Sequence, residues 1–88
     1  MGWTRSSTPR LARGVRLRWD PGRGRHLLLL PERVVVLNET AGAILELCDG
    51  ERPVSDVVRE MEARYGARGI ESDVLEFLER MNEEGWIT

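Results

Sequence analysis

The chain has 88 residues, 41% of them hydrophobic and 32% charged, with a formal net charge of −2. That length makes one domain with a thin core, because a chain this short buries only about 60–65% of its unfolded surface. It holds no run of 18 apolar residues to span a membrane, and its single cysteine, Cys48, rules out a disulfide framework and leaves the cytoplasm as the expected location.

Residues 1–9 are rich in Ser and Thr and end at Pro9. No apolar stretch of the secretory kind follows Met1, so the segment reads as a flexible tail before a single domain over 10–88. Val15 to Trp19 alternate apolar and polar residues, the pattern of a half-buried strand. Asp20-Pro21-Gly22-Arg23-Gly24 is a turn. Leu27–Leu30 and Val34–Leu37, separated by a short break at Pro31-Glu32, predict a tight antiparallel hairpin. Both runs are apolar on both faces, more than a sheet covered on one side needs.

The second half is helical. Asn38 is placed to cap a helix with Glu39 at its positive end, and Ala41, Ile44, Leu45 and Cys48 form its stripe. Asp49-Gly50 stops it. Ser55 and Asp56 start a second helix with Val54, Val57, Val58, Met61 and Tyr65 as its stripe. Ser72 and Asp73 start a third, with Val74, Phe77, Leu78 and Met81; Gly85 ends it, and Trp86-Ile87 tuck back onto the core. The order βββααα gives an α+β fold, a winged-helix-like domain with a three-stranded antiparallel sheet followed by three helices.

The charge is uneven along the chain. Residues 1–45 carry eight arginines against three carboxylates, a net of +5; residues 46–88 carry five against twelve, a net of −7. A winged helix that binds DNA would send its third helix into the major groove. Here Glu71 to Glu84 holds six acids and Arg80, which would repel phosphates, so no nucleic-acid partner is expected. Catalytic chemistry is equally thin. His26 reads as an exposed strand-end residue and Cys48 as a small buried hydrophobe. No nucleophile–base pair, no metal-ligand cluster and no phosphate-binding glycine motif stands out, so neither an enzyme nor a cofactor or metal site is expected.

Leu29-Leu30-Pro31-Glu32-Arg33-Val34-Val35-Val36-Leu37-Asn38, followed by Ala41, Ile44-Leu45 and Cys48-Asp49-Gly50, resembles the pyrroloquinoline quinone biosynthesis protein D (PqqD) family. Pro9-Arg10-Leu11, Arg13 to Leu17 and Asp20 are similar to the family's opening, and Asp73-Val74 with Phe77-Leu78 to its third helix. The resemblance runs from about residue 9 to residue 87. It implies a RiPP recognition element: a peptide chaperone that holds no cofactor and makes no bond. It implies two partners, a ribosomal precursor peptide (PqqA-like) and a radical S-adenosylmethionine enzyme (PqqE-like) that joins a Glu to a Tyr within that peptide. The peptide is expected to add as a strand beside the third strand, at Arg33, Val34, Val35, Val36 and Leu37. Helical spacing adds Leu75, Leu78, Glu79 and Asn82 on the third helix as the groove wall.

An independent argument points to the same strand. An edge strand is normally protected by charge, Pro or a bulge, and Val34–Leu37 has none of these within it. Such an edge aggregates, lies buried, or accepts another strand through main-chain hydrogen bonds. Leu75 either floors a pocket beside that strand or widens the core stripe. The alternative of another class is an assembly domain in which the edge pairs with a second copy in a homodimer.

Overall fold

The structure, a computed structural model, describes residues 2–88. Strands β1 (Arg16–Asp20), β2 (Arg25–Leu29) and β3 (Val34–Val36) precede helices α1 (Glu39–Glu46), α2 (Val54–Tyr65) and α3 (Glu71–Glu83). The expected α+β order of three antiparallel strands and three helices is the observed one. The sheet order is β1-β2-β3, so β2 is central and β3 is an edge.

The β1–β2 turn is tighter than the spacing of the apolar residues indicated. Gly22 N–H donates to Asp20 Oδ1 and Gly24 N–H to the Asp20 carbonyl, which carries the pairing on to Asp20 opposite Arg25. Leu28 sits opposite Leu17 on one side and Val35 on the other. These three side chains point to the helical layer, and Leu28 is fully buried. The core joins it to Leu45, Val54, Val57, Leu78 and Ile87.

Asn38 caps α1 as expected, its Oδ1 accepting the Ala41 N–H at 2.8 Å. The α1 backbone lies close on β2: a Cβ at Gly42 would come within 2.5 Å of the His26 ring. A glycine inside a helix costs roughly 0.5–1 kcal/mol relative to alanine, and here it is what lets the helix approach. Asp49 Oδ1 accepts the N–H groups of Glu51 and Arg52, and Gly50 takes a φ of 82°, closing the turn into α2.

Two expectations change. The first is the N-terminal tail. Pro9 is fully buried, Arg10 exchanges two backbone bonds with Thr88, and Ala12 N–H donates to Trp86. The carbonyls of Ser7 and Arg5 accept the N–H groups of Val54 and Ser55. Helix α2 starts at Val54 behind Pro53, which supplies no side-chain cap, so the N-terminal strap satisfies donors that would otherwise be orphaned. Arg5, Ser7 and Pro9 are thus held against the helices and the C-terminal end of the chain. The second is Tyr65. It leaves the α2 stripe to stand 39% exposed at the end of the helix, its hydroxyl donating to Glu39 Oε2 at 3.2 Å.

Candidate functional site

The hydrogen bonds of β3 divide it by parity. Leu37 N–H donates to the His26 carbonyl and Leu30 N–H to the Arg33 carbonyl, while Val35 stands opposite Leu28. In an antiparallel ladder a residue's N–H and C=O point the same way and the direction alternates along the strand. Arg33, Val35 and Leu37 therefore spend their backbone groups on β2. Val34 and Val36 point theirs away from the sheet. The edge thus offers two donors and two acceptors at a spacing that an added antiparallel or parallel strand can meet.

Helix α3 and the residues after it come near the two ends of this strand. Just past β3, Asn38, Thr40 and Ala41 face Ile70, Asp73, Val74, Phe77 and Arg80 across a cleft of 330 Å³ floored by Ile44 and Met61. At the other end, the Arg33 guanidinium sits 5.7 Å from the centre of the Trp86 ring, just beyond the C-terminus of α3. The cleft wall is apolar at Phe77 and Ile70 and charged at Asp73 and Arg80, an apolar hollow with polar groups at its mouth.

The residues singled out from the sequence fall into three places. Val34 and Val36 are exposed on the free edge, and Arg33 is exposed at its start. Val35 is half-buried with its backbone paired, and Leu37 lies in the core. On α3, Leu78 is fully buried and belongs to the core. Leu75 is half-buried and packs against that core. Glu79 is exposed near the N-terminal strap, where a Cβ at Gly2 would lie 3.1 Å from its Oε2. Asn82 donates its side-chain N–H to the Ile87 carbonyl at 2.9 Å and pins the C-terminus. Arg5 of the strap pairs with Glu71 on the same flank of the helix at 3.3 Å. The face at 71, 75, 79 and 82 thus meets the chain's own termini, and the cleft beside β3 is walled by Asp73, Phe77 and Arg80 instead. Phe77 was assigned to the core stripe by spacing. It packs partly against the core, as Leu75 does, but it also lines the cleft, which no spacing contains.

His26 and Cys48 are set in structural surroundings. His26 meets Trp19 edge-on at 5.0 Å and Glu46 at 3.6 Å, wedged on Gly42. Burial pushes the Cys48 thiol up to about 12, and its Sγ donates to the Ile44 carbonyl. A thiol so held is not a nucleophile near neutral pH. Among the described residues no group of three His, Cys, Asp or Glu is placed to hold a metal, and no helix is long and apolar enough to cross a membrane.

Comparison with known proteins bears on what this edge and cleft are for. The family described as "Coenzyme PQQ synthesis protein D (PqqD)" matches residues 25–87. The chain belongs to the PqqD family. A PqqD-family relative named PqqA binding protein, from Methylococcus capsulatus, is 47% identical over 83% of this chain and 78% of its own. Another of the same name, from Azotobacter vinelandii, is 45% identical over 96% of this chain and 92% of its own. The solution NMR structure of the PqqD portion of Methylobacterium extorquens PqqCD, described as a functional and stand-alone RiPP recognition element, matches with a TM-score of 0.80 at 39% identity, covering 98% of this chain and 94% of that one. The crystal structure of PqqD from Xanthomonas campestris matches with a TM-score of 0.55 at 33% identity, covering 93% of each chain.

Proposed function

We propose that this protein is a non-catalytic peptide chaperone of pyrroloquinoline quinone biosynthesis. It binds the PqqA-like precursor peptide and presents it to a PqqE-like radical S-adenosylmethionine enzyme for Glu–Tyr cross-linking. The observation that carries the reading is the unpaired β3 edge at Val34 and Val36 beside a cleft walled by Phe77. Relatives named for binding PqqA supply the chemistry of the occupant. In this reading the peptide pairs with the outward backbone of Val34 and Val36. It sends apolar side chains toward Phe77 and meets Asp73 and Arg80 at the rim. Arg33, Val35 and Leu37 hold the edge in place from the β2 side. Leu75, Leu78, Glu79 and Asn82 hold α3 against the core and the termini.

Titration of the precursor peptide into isotopically labelled protein tests this. Saturable shifts are expected at Val34, Val36, Asp73, Phe77 and Arg80, with little change at Leu75 and Glu79. Absence of saturable shifts would remove the chaperone reading. The reverse pattern would return the groove to the other flank of α3.

The same edge favours a second reading, a homodimer in which β3 pairs with β3 of another copy. Sedimentation at increasing peptide concentration separates the two. A peptide binder stays or becomes monomeric as peptide is added, whereas a structural dimer ignores it.

A further inference from the structure

Helices cover one face of the sheet, and the described residues leave the other bare. Two cross-strand rows lie on it: Arg16–Leu29–Val34 and Arg18–Leu27–Val36. Val34 is 58% exposed and Val36 46%, and Leu27 and Leu29 of the central strand stay half-exposed. Two shallow hollows mark the face, one of 330 Å³ at Arg16, Arg18 and Leu29, the other of 230 Å³ at Arg18, Leu27 and Asp20, whose carboxylate pairs with Arg23. An aliphatic centre with a charged rim is the anatomy of a protein–protein contact rather than of a solvated sheet.

We infer that this bare face is the docking surface for the enzyme that acts on the bound peptide, and that the enzyme meets it with an aliphatic patch bordered by carboxylates. The inference rests on the chaperone reading above and adds the surface and the chemistry of the partner. Three observations select this occupant. Among the described residues, neither Arg16 nor Arg18 has a carboxylate within 4 Å, so the partner supplies the counter-charge. A twofold contact with a second copy would gather the arginines of both copies into one interface, with Asp20 of each already paired to Arg23. The face is also continuous with the free edge. A strand added beside β3 extends the sheet, and its alternate side chains fall on the same bare face as Val34 and Val36. An enzyme seated there touches carrier and peptide together, so it binds the loaded form more tightly, and by linkage the peptide binds more tightly when the enzyme is present. Nucleic acid fits less well, because Leu27, Leu29, Val34 and Val36 make the centre of the face aliphatic, and phosphate binding rests on cationic contacts.

The test is the double variant Arg16→Glu/Arg18→Glu. Both positions lie on β1, the edge away from the peptide. Affinity for the purified radical enzyme is measured with and without saturating precursor peptide, and peptide affinity is measured separately. The double variant is expected to lose about tenfold or more in enzyme affinity at low salt. It should keep its melting temperature and bind peptide within about twofold of the parent. Leu27→Gln should weaken the enzyme complex without the salt dependence. Enzyme binding unchanged in both variants, with peptide binding intact, overturns the docking surface and leaves the chaperone reading standing. A parent protein that binds no peptide overturns that reading and this inference with it. Oligonucleotide binding that disappears in the arginine variant, with enzyme binding retained, assigns the face to nucleic acid and also overturns the inference.

Discussion

Val34, Val35 and Val36 are one residue type in three consecutive positions, and the two faces of the sheet treat them differently. Val35 lies opposite Leu28 on the covered face, packs against the core and gives its backbone to β2. Val34 and Val36 stand on the bare face, largely exposed, with their backbone groups turned out of the sheet. Alternation along a strand has period two, so side chain and backbone switch together. Odd positions of β3 pack and pair within the fold, and even positions are left free for the recognition proposed above. A hydrophobic residue on such a strand has no fixed role until the layer beneath it is known.

Substitutions at the two faces put this division to the test. The largest effect is expected at Leu28, which is fully buried. Leu28→Ala should cost about 2–5 kcal/mol in chemical denaturation, and Leu27→Ala on the bare face clearly less. Equal costs would mean that the two faces are equally packed.

Proline separates the backbone roles. Val35→Pro removes a ladder donor and leaves a partner on β2 unsatisfied, a loss of about 1–3 kcal/mol that should appear as a lower melting temperature. Val36→Pro removes an outward donor and constrains Val35 to the extended region it already occupies. The fold should survive, and one lost main-chain bond of about 0.5–1.5 kcal/mol should weaken peptide binding by about two- to twelvefold. If Val36→Pro unfolds the hairpin while Val35→Pro does not, the parity assigned to β3 is reversed.

Smaller still is Val34→Thr with Val36→Thr, which keeps branched side chains on exposed positions. Stability should stay within about 0.5 kcal/mol of the parent. A large loss would show that the bare face is covered in solution.

The last prediction concerns a turn outside both faces and changes only the pH dependence. Hydrogen bonds from the Arg52 and Glu51 N–H groups hold the Asp49 carboxyl below its ordinary 3.8. A carboxyl with a lowered folded-state value contributes stability that is present above the ordinary value and is lost as pH falls through the folded one. Melting temperature should therefore fall more steeply below about pH 4 in the parent than in Asp49→Asn. Parallel acid limbs would show that the turn is not held by the carboxylate.

Local information in the sequence determined a good deal of this molecule. The 3.6-residue period, one alternating run and two apolar runs set the order of three strands and three helices, Asn38 set the start of α1, and the valine run stood out as a strand without charge or Pro. Each of these depends on neighbours within a few residues, where side-chain spacing and backbone preference act directly. Spacing also showed that Leu75, Glu79 and Asn82 share a flank of α3 and that Phe77 and Arg80 lie elsewhere. Which flank faces β3 was settled by the tertiary structure alone. The path of the chain brings Gly2, Arg5 and Ile87 against the first flank and leaves the cleft at Asp73, Phe77 and Arg80. The strap that caps α2 and the seat of Gly42 on His26 belong to the same class. They join segments far apart in sequence, and a helical period specifies angles about its own axis but not the direction of the core.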